Sequence, residues 1–350
     1  MKTLKRTAYS LAAISGLILS ITISCVVSTQ EVKCTEENHP NFRVQFINEH
    51  VGWIIGAHLF HTTDGGNTWT AIRYKNCNDL IKARDGPEYR KHYVQFVDET
   101  WGWRKSPIDV NSVQYTDNGG LSWSDPLKIR SNFRGGSGLI FSSREKGWAL
   151  GENVAATTDG GLTWRNEKSL AGLFLSYPFF LDSDHIWLAN DGDAIAHTSD
   201  GGKTWRIEST PLKNIQSIFF ITADKGWVVG DDGLIAKTDN GGSDWTVYQA
   251  PASYNSWQDT VLLDVFFLTP DLGWIVGFDG MALLTTDGGA HWVRAKTSTR
   301  ASLSSVRFVN ASHGWAVGGY PRPIFSRGYS PGVVIETVDG GKTWKDALLH

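Results

Sequence analysis

Residues 62–69 read Thr-Thr-Asp-Gly-Gly-Asn-Thr-Trp, and the same phrase returns six more times along the chain. It recurs as TDNGGLSW (Thr116 to Trp123), TTDGGLTW (Thr157 to Trp164), TSDGGKTW (Thr198 to Trp205), TDNGGSDW (Thr238 to Trp245), TTDGGAHW (Thr285 to Trp292) and TVDGGKTW (Thr337 to Trp344). The closing tryptophans stand 54, 41, 41, 40, 47 and 52 residues apart. A second landmark precedes each copy. It is Gly-Trp at Trp53, Trp103, Trp148, Trp227, Trp274 and Trp315, and Ile186-Trp187 in the fourth copy. Seven residues before each of these stands a phenylalanine: Phe46, Phe96, Phe141, Phe180, Phe220, Phe267 and Phe308. Fourteen of the 16 tryptophans therefore belong to one repeat. Units of 40 to 50 residues with short apolar runs are the signature of propeller blades. The predicted fold is all-β, a seven-bladed β-propeller of four-stranded antiparallel blades.

Within a blade, the run around the phenylalanine (Ile218 to Ile221) predicts the first strand and the Gly-Trp segment (Trp227 to Val229) the second. A third strand enters the box (Leu234 to Ala236) and a fourth leaves it (Trp245 to Val247). The blades are placed near residues 41–74, 91–129, 137–168, 175–210, 215–250, 261–297 and 303–350. Each holds all four strands, so none need be borrowed to close the ring. The box reads as a turn device. Its Asp accepts N–H bonds within the turn, its glycines permit positive φ, and its Trp covers the turn. Asn118 and Asn240 replace the Asp in blades two and five, a swap that capping tolerates and catalysis does not.

A net charge of −3 argues against a general nucleic-acid binder, and three cysteines exclude a disulfide-dense scaffold or a Cys-rich zinc protein. Lys2, Lys5 and Arg6 precede an uncharged apolar run from Ala8 to Ile23, which reads as a signal peptide over residues 1–25. The run ends Ile23-Ser24-Cys25 and resembles a bacterial lipobox, with Cys25 the expected lipidation site. Thr22 departs from that pattern, and ordinary cleavage that discards Cys25 or leaves it free is the alternative. Residues 26–40 read as a tether before the propeller of residues 41–350. Cys34 and Cys77, the other two cysteines, are a candidate disulfide in an oxidising compartment. Its loop of about 43 residues would contribute roughly 3–4 kcal/mol.

Loop lengths divide the ring into two faces. The Phe-to-Trp turn and the box turn are constant in length and join strands one to two and three to four, so both are expected on one face. The remaining connections vary and fall on the other face, where recognition resides on a rigid scaffold. Their basic and aromatic residues form the candidate partner-binding set. Blade one supplies Arg84, Arg90 and Lys91. Blades two and three add Arg104, Lys105, Arg130 and Arg134. Tyr254 and Trp257 precede blade six, and Tyr320, Arg322 and Arg327 lie in blade seven. Acidic residues are interspersed, so a solvated loop surface is the plain alternative.

The box and its blade grammar match the Asp-box, or BNR, repeat of sialidases, some endoglucanases, sortilin-type receptors and the photosystem II stability/assembly factor family. The blades resemble that last family over nearly the whole chain after residue 40. The resemblance implies a binding scaffold that helps assemble or stabilise a membrane complex, photosystem II in photosynthetic relatives. The implied partner is another protein, membrane-associated, with no nucleic acid, no cofactor and no metal. Membrane contact is through the N-terminal lipid only, and the propeller is a monomer. The expected location is the periplasm or the outer face of a membrane, the thylakoid lumen side in a photosynthetic source. The alternative is an exported sialidase-like glycoside hydrolase or a glycan-binding propeller. Phe42-Arg43-Val44-Gln45 lacks the proline of the sialidase motif, and Arg43 and Arg307 find no third arginine with a Tyr–Glu pair. Asp264, on an inner strand, is a carboxylate without an evident partner. His58 and His61 lack a third ligand for a metal.

Overall fold

A short apolar run ending in Phe, a five-residue polar turn and the Gly-Trp run recur because each makes the first hairpin of a blade. In the computed structural model, which describes residues 43–56, 59–72, 94–106, 109, 111–129, 138–190, 192–251, 260–320 and 332–347, blade one comprises four strands. They are β1 (Arg43–Phe46), β2 (Gly52–Ile55), β3 (Leu59–Thr62) and β4 (Thr70–Ile72), paired antiparallel in chain order. Six further sheets repeat the order up to β28 (Lys345–Asp346), giving seven four-stranded blades. The innermost strands of blades two to seven are β5 (Val94–Phe96), β9 (Gly138–Phe141), β13 (Leu175–Phe180), β17 (Ile215–Phe220), β21 (Leu262–Phe267) and β25 (Ser302–Phe308). Pro178 sits on β13, whose other edge faces the channel, so its missing N–H leaves no ladder bond unmade.

The spacing of Phe and Trp has a packing cause. In every blade but the fourth the phenylalanine lies face-on against the second-strand tryptophan of the blade before it. The centroid distances are 3.9 Å for Trp53–Phe96, 4.1 Å for Trp103–Phe141, 3.8 Å for Trp187–Phe220, and 3.5 Å for both Trp227–Phe267 and Trp274–Phe308. Its edge meets the box tryptophan of its own blade, as in Phe267–Trp292 at 5.9 Å and 84°. Trp315 on Phe46, at 5.0 Å, closes the ring. The seven second-strand tryptophans are at most 2% exposed. Each buries about 150–250 Å², or roughly 4–6 kcal/mol of apolar transfer as an upper bound.

Glycine precedes the tryptophan because the phenylalanine ring lies over it: a Cβ at Gly102 would stand 2.7 Å from the Phe96 ring, and at Gly147 2.5 Å from Phe141. Blade four departs in a coherent way. Ile186 is fully buried in one cluster with Trp148, and Phe180 is left only partly buried against it. No strand is borrowed at the closure, since blade seven runs from Ser302 to Asp346. Its last strand is instead tied sideways. Lys296 bridges Thr343 in parallel, and Trp344 N donates to Lys296 O at 2.9 Å.

Candidate functional site

The two faces are fixed by one bond made seven times. The first box glycine donates its N–H to a carbonyl of the first turn in the same blade: Gly65 to His50, Gly119 to Thr100, Gly160 to Glu145, Gly201 to Asp184, Gly241 to Asp224, Gly288 to Asp271 and Gly340 to Ser312, all at 2.8–3.0 Å. Both constant turns therefore share a face, and the variable connections emerge on the opposite one.

The box aspartates are consumed by that architecture. Asp64 Oδ1 accepts from Thr62 Oγ1 (2.8 Å) and Thr68 N (2.9 Å), and Oδ2 accepts from Thr68 Oγ1 (2.6 Å). Thr62 Oγ1 also accepts from Gly66 N at 2.9 Å. These bonds favour the ionised carboxylate. The Thr68 hydroxyl lowers the pKa of Asp64, as the Thr163 and Thr204 hydroxyls lower those of Asp159 and Asp200. The His291 N–H and ring hold Asp287 at about 2. At Asp339 burial pushes upward, but bonds from Thr343 and its neighbours outweigh it and leave the carboxyl at about 2. None is poised as an acid near neutrality. The asparagines keep the turn and reverse one bond: Asn118 Nδ2 donates to Ser122 Oγ (2.7 Å) and Asn240 Nδ2 to Asp244 Oδ2 (2.9 Å).

The second box glycine has a role that a turn argument misses. A Cβ at Gly66 would enter the Trp315 ring, and one at Gly289 would lie 2.9 Å from Trp227 Nε1. Gly202 and Gly341 likewise meet Trp148 and Trp274, so these four boxes are sockets for the preceding blade's tryptophan. Trp53, Trp187, Trp227 and Trp274 also donate their indole N–H to the first-glycine carbonyl of the next box, at 2.9–3.3 Å.

Asp264, the only Asp or Glu on any described inner strand, proves to have partners on both sides. Its Oδ1 accepts from Ser217 Oγ at 2.9 Å, and its Oδ2 from Val306 N at 2.9 Å and Arg307 Nη1 at 2.7 Å. The ion pair is largely buried, and it ties β17, β21 and β25 together. Gln45 and Gln95 do the same elsewhere, each bonding both backbone groups of the next blade's phenylalanine, Phe96 and Phe141. Sequence spacing gave no hint of this inner seam. Arg307 also lies over the Phe266 ring at 5.5 Å, and Arg43 stands exposed at the start of β1. Neither a carboxylate pair nor an arginine triad assembles among the described residues. His61 stacks on Trp53 at 5.0 Å, and burial lowers its pKa, while His58 lies outside the described residues. No group of three or more His, Cys, Asp or Glu side chains among the described residues could hold a metal ion.

Of the candidate docking residues, three are described. Arg104 and Lys105 sit half-buried on the second strand of blade two. The Arg104 Nε donates to Gln114 Oε1 at 3.0 Å, and its guanidinium covers Trp123 at 4.5 Å, so this arginine braces its own blade. Tyr320 is 40% exposed on the variable face, with its hydroxyl 3.2 Å from Thr299 Oγ1. Arg84, Arg90, Lys91, Arg130, Arg134, Tyr254, Trp257, Arg322 and Arg327 lie outside the described residues, as do Cys25, Cys34 and Cys77.

Two further features of the variable face escaped the loop-length argument. Phe174 and Phe278, 60% and 43% exposed, stand in connections of ordinary length. The charge is also polarised. The seven first turns and the seven boxes, through the box tryptophan, carry 16 Asp and Glu against 5 Lys and Arg, a net of −11. Of the variable connections, the three long ones at residues 73–93, 130–137 and 320–331 carry 10 Lys and Arg against 3 Asp and Glu in the sequence, and the others are on balance acidic.

These features define an Asp-box propeller whose face of constant turns is acidic. A family model described as photosynthesis system II assembly factor YCF48 matches residues 169–253 and 251–350, just over half the chain. The chain belongs to that family, as the blade grammar implied. Among solved structures it is similar to YCF48 bound to D1 peptide, with 20% identity, a TM-score of 0.60, and 79% of this chain and 88% of that one covered. It is likewise similar to YCF48 from Cyanidioschyzon merolae, with 17% identity, a TM-score of 0.60 and coverage of 85% and 94%. The GH74 xyloglucanase from Xanthomonas campestris matches at 10% identity, a TM-score of 0.56 and coverage of 90% and 67%. At such identities the likeness is one of fold. No curated protein matches the sequence.

Proposed function

We propose that this protein is an exported, non-catalytic propeller that docks an acidic polypeptide segment of a membrane-associated protein on its variable face and assists assembly of the complex that protein joins. The observation that carries the reading is a charge contrast in the sequence: the two constant turns of each blade carry −11, whereas three long variable connections, residues 73–93, 130–137 and 320–331, carry 10 Lys and Arg against 3 Asp and Glu. Such a field raises encounter rates with acidic partners. A relative with the same fold holds a D1 peptide, which supports polypeptide recognition. Glycoside hydrolysis is disfavoured because Asp264 is locked in an ion pair. Export, with attachment through Cys25, places the docking face outside the cytoplasm, and absence of labelled palmitate from the wild-type protein would leave simple secretion.

The test is capture from detergent-solubilised membranes of the source cell. A variant carrying Arg84→Glu, Arg90→Glu and Arg322→Glu should lose the partner, and Lys203→Glu with Lys342→Glu, on the box face, should retain it. Retention should also fall with salt, as the Debye length shortens from about 10 Å at 0.1 M to about 3 Å at 1 M. Loss with the box-face variant alone would reverse the assignment of faces.

A further inference from the structure

Asparagine is followed by glycine at two places in the sequence, Asn118-Gly119 and Asn240-Gly241, and both lie in boxes. An asparagine before glycine is the amide most open to loss of ammonia, because glycine has no side chain to hinder its backbone nitrogen. That nitrogen, on giving up its proton, attacks the asparagine Cγ. A Cγ–N bond forms, the Cγ–Nδ2 bond breaks, and Nδ2 leaves as ammonia with the proton that the glycine gave up. Water then opens the succinimide ring at one of its two carbonyls, giving aspartate or isoaspartate. Both asparagines are exposed to that water. The other five boxes hold an aspartate kept in its ionised form, which resists the same attack.

The folded box withholds the atoms this attack requires. At Asn118, Oδ1 accepts from Thr116 Oγ1 and Ser122 N, both at 2.9 Å, and Nδ2 donates to Ser122 Oγ at 2.7 Å. At Asn240, Oδ1 accepts from Thr238 Oγ1 and Asp244 N, and Nδ2 donates to Asp244 Oδ2, all at 2.9 Å. The two glycines are held as well. Gly119 N donates to Thr100 O and Gly241 N to Asp224 O, each at 2.8 Å. Gly119 O accepts from Trp53 Nε1 at 3.2 Å, and Gly241 O from Trp187 Nε1 at 3.3 Å. The attacking nitrogen is thus bound to another turn, and the carbonyl of the same residue is bound to the preceding blade. Bringing that nitrogen onto Cγ means breaking the box and releasing the seam.

We propose that Asn118 and Asn240 are deamidation sites gated by the seam that each box closes, so that their conversion records the opening of blades two and five. The two records differ in consequence. An aspartate at position 118 keeps the Ser122 hydroxyl as a donor, as Asp64 keeps that of Thr68, and the box survives. An aspartate at position 240 faces the carboxylate of Asp244. Isoaspartate at either position adds a carbon to the main chain and displaces the glycine carbonyl from its indole. The two seams also differ in strength. Blade five is bonded through indoles on both sides, by Trp187 to Gly241 and by Trp227 to Gly288, whereas Trp103 makes no such bond from blade two to blade three. Asn118 therefore converts first, since blades open locally at the joints that are held least.

The test is incubation of the full chain at pH 9, folded and in concentrated guanidinium, followed by an acid quench, peptic digestion and mass spectrometry of both sites. In guanidinium the two asparagines should convert at similar rates. In the folded protein both should be slowed by about tenfold or more, Asn240 the more strongly. Trp53→Phe, which removes the indole donor to Gly119, should speed conversion of Asn118 several-fold and leave Asn240 as it was. Trp187→Phe should do the reverse. Folded parent protein that converts as fast as the denatured chain would overturn the gate, and that comparison needs no variant to fold. Equal acceleration of both sites by either variant would overturn it too, by showing that global unfolding and not the seam is limiting. No conversion in guanidinium would remove the sites themselves.

Discussion

In blade five the box asparagine faces an aspartate, and replacing Asn240 by Asp tests the account of the box directly. Asn240 Oδ1 accepts from Thr238 Oγ1 and Asp244 N, both at 2.9 Å, and Asn240 Nδ2 donates to Asp244 Oδ2 at 2.9 Å. In Asn240→Asp that last bond becomes a contact between two carboxylate oxygens. The exposed bond is worth about 1 kcal/mol, and two charges about 4 Å apart in water repel by about 1 kcal/mol. The variant should therefore lose about 2 kcal/mol at pH 8, or about 4 °C in Tm. The pH dependence has a definite sign. Mutual repulsion raises one carboxyl's folded pKa above its unfolded value, so the deficit is present at high pH and shrinks as pH falls to 4 and one carboxyl takes up a proton. Adding Asp244→Thr recreates the Asp–Thr pair of Asp64 and Thr68, and the double variant should regain the lost stability. Urea midpoints at pH 8 and pH 4 for parent, single and double variants decide the matter. A single variant as stable as the parent at pH 8, or a double variant no better than the single, would refute the reasoning.

Gly66→Ala should destabilise by about 2–4 kcal/mol, because the residue has φ 84° and its new methyl enters the Trp315 ring at the ring closure; an unchanged guanidinium midpoint would contradict the socket. The depressed box carboxylates contribute stability that is present above pH 4 and lost as pH falls toward 2, the value at which Asp287 and Asp339 are held, so midpoints should drop steeply between pH 4 and 2. His197, stacked on Trp187 at 4.5 Å, is held at about 4 by burial, with smaller contributions from His185 and Arg206. Its unfolded form takes up a proton first, so a shallower loss of stability begins below pH 6.5, and NMR should find the imidazole still neutral at pH 5. Arg307→Met should cost about 2–4 kcal/mol by leaving Asp264 buried without its cation; a neutral effect in thermal melts would show that the pair ties nothing together.

The fold was legible because its signals are local and repeated. Phe, Gly-Trp and box recur at fixed short spacing, and each spacing corresponds to one hairpin. The exception at Ile186 was visible as a break in the pattern, but its repacking against Trp148 was not, since that contact joins two blades. The same limit hid the box's second use. Trp53 meets Gly119, and Trp274 meets Gly340, across more than sixty residues of chain. Asp264 read as a lone carboxylate because Ser217 and Arg307 lie more than forty residues to either side.

The indole-to-box bond is made at four of the seven seams and omitted where Trp103, Trp148 and Trp315 leave their ring N–H buried and unpaired. The bonded seams are not scattered. Three of them join blades four, five, six and seven without a gap, and the unbonded seams isolate blade three on both sides and mark the join between blades seven and one. The ring is thereby an arc of four blades, a pair and a singlet, closed by weaker joints. Local opening follows the weakest joints first, in contiguous cooperative units. Amide exchange in native conditions should find blades four to seven opening together and slowest, with blade three the earliest to loosen, so that the circle behaves in time as a segment with a hinge on either side of one blade.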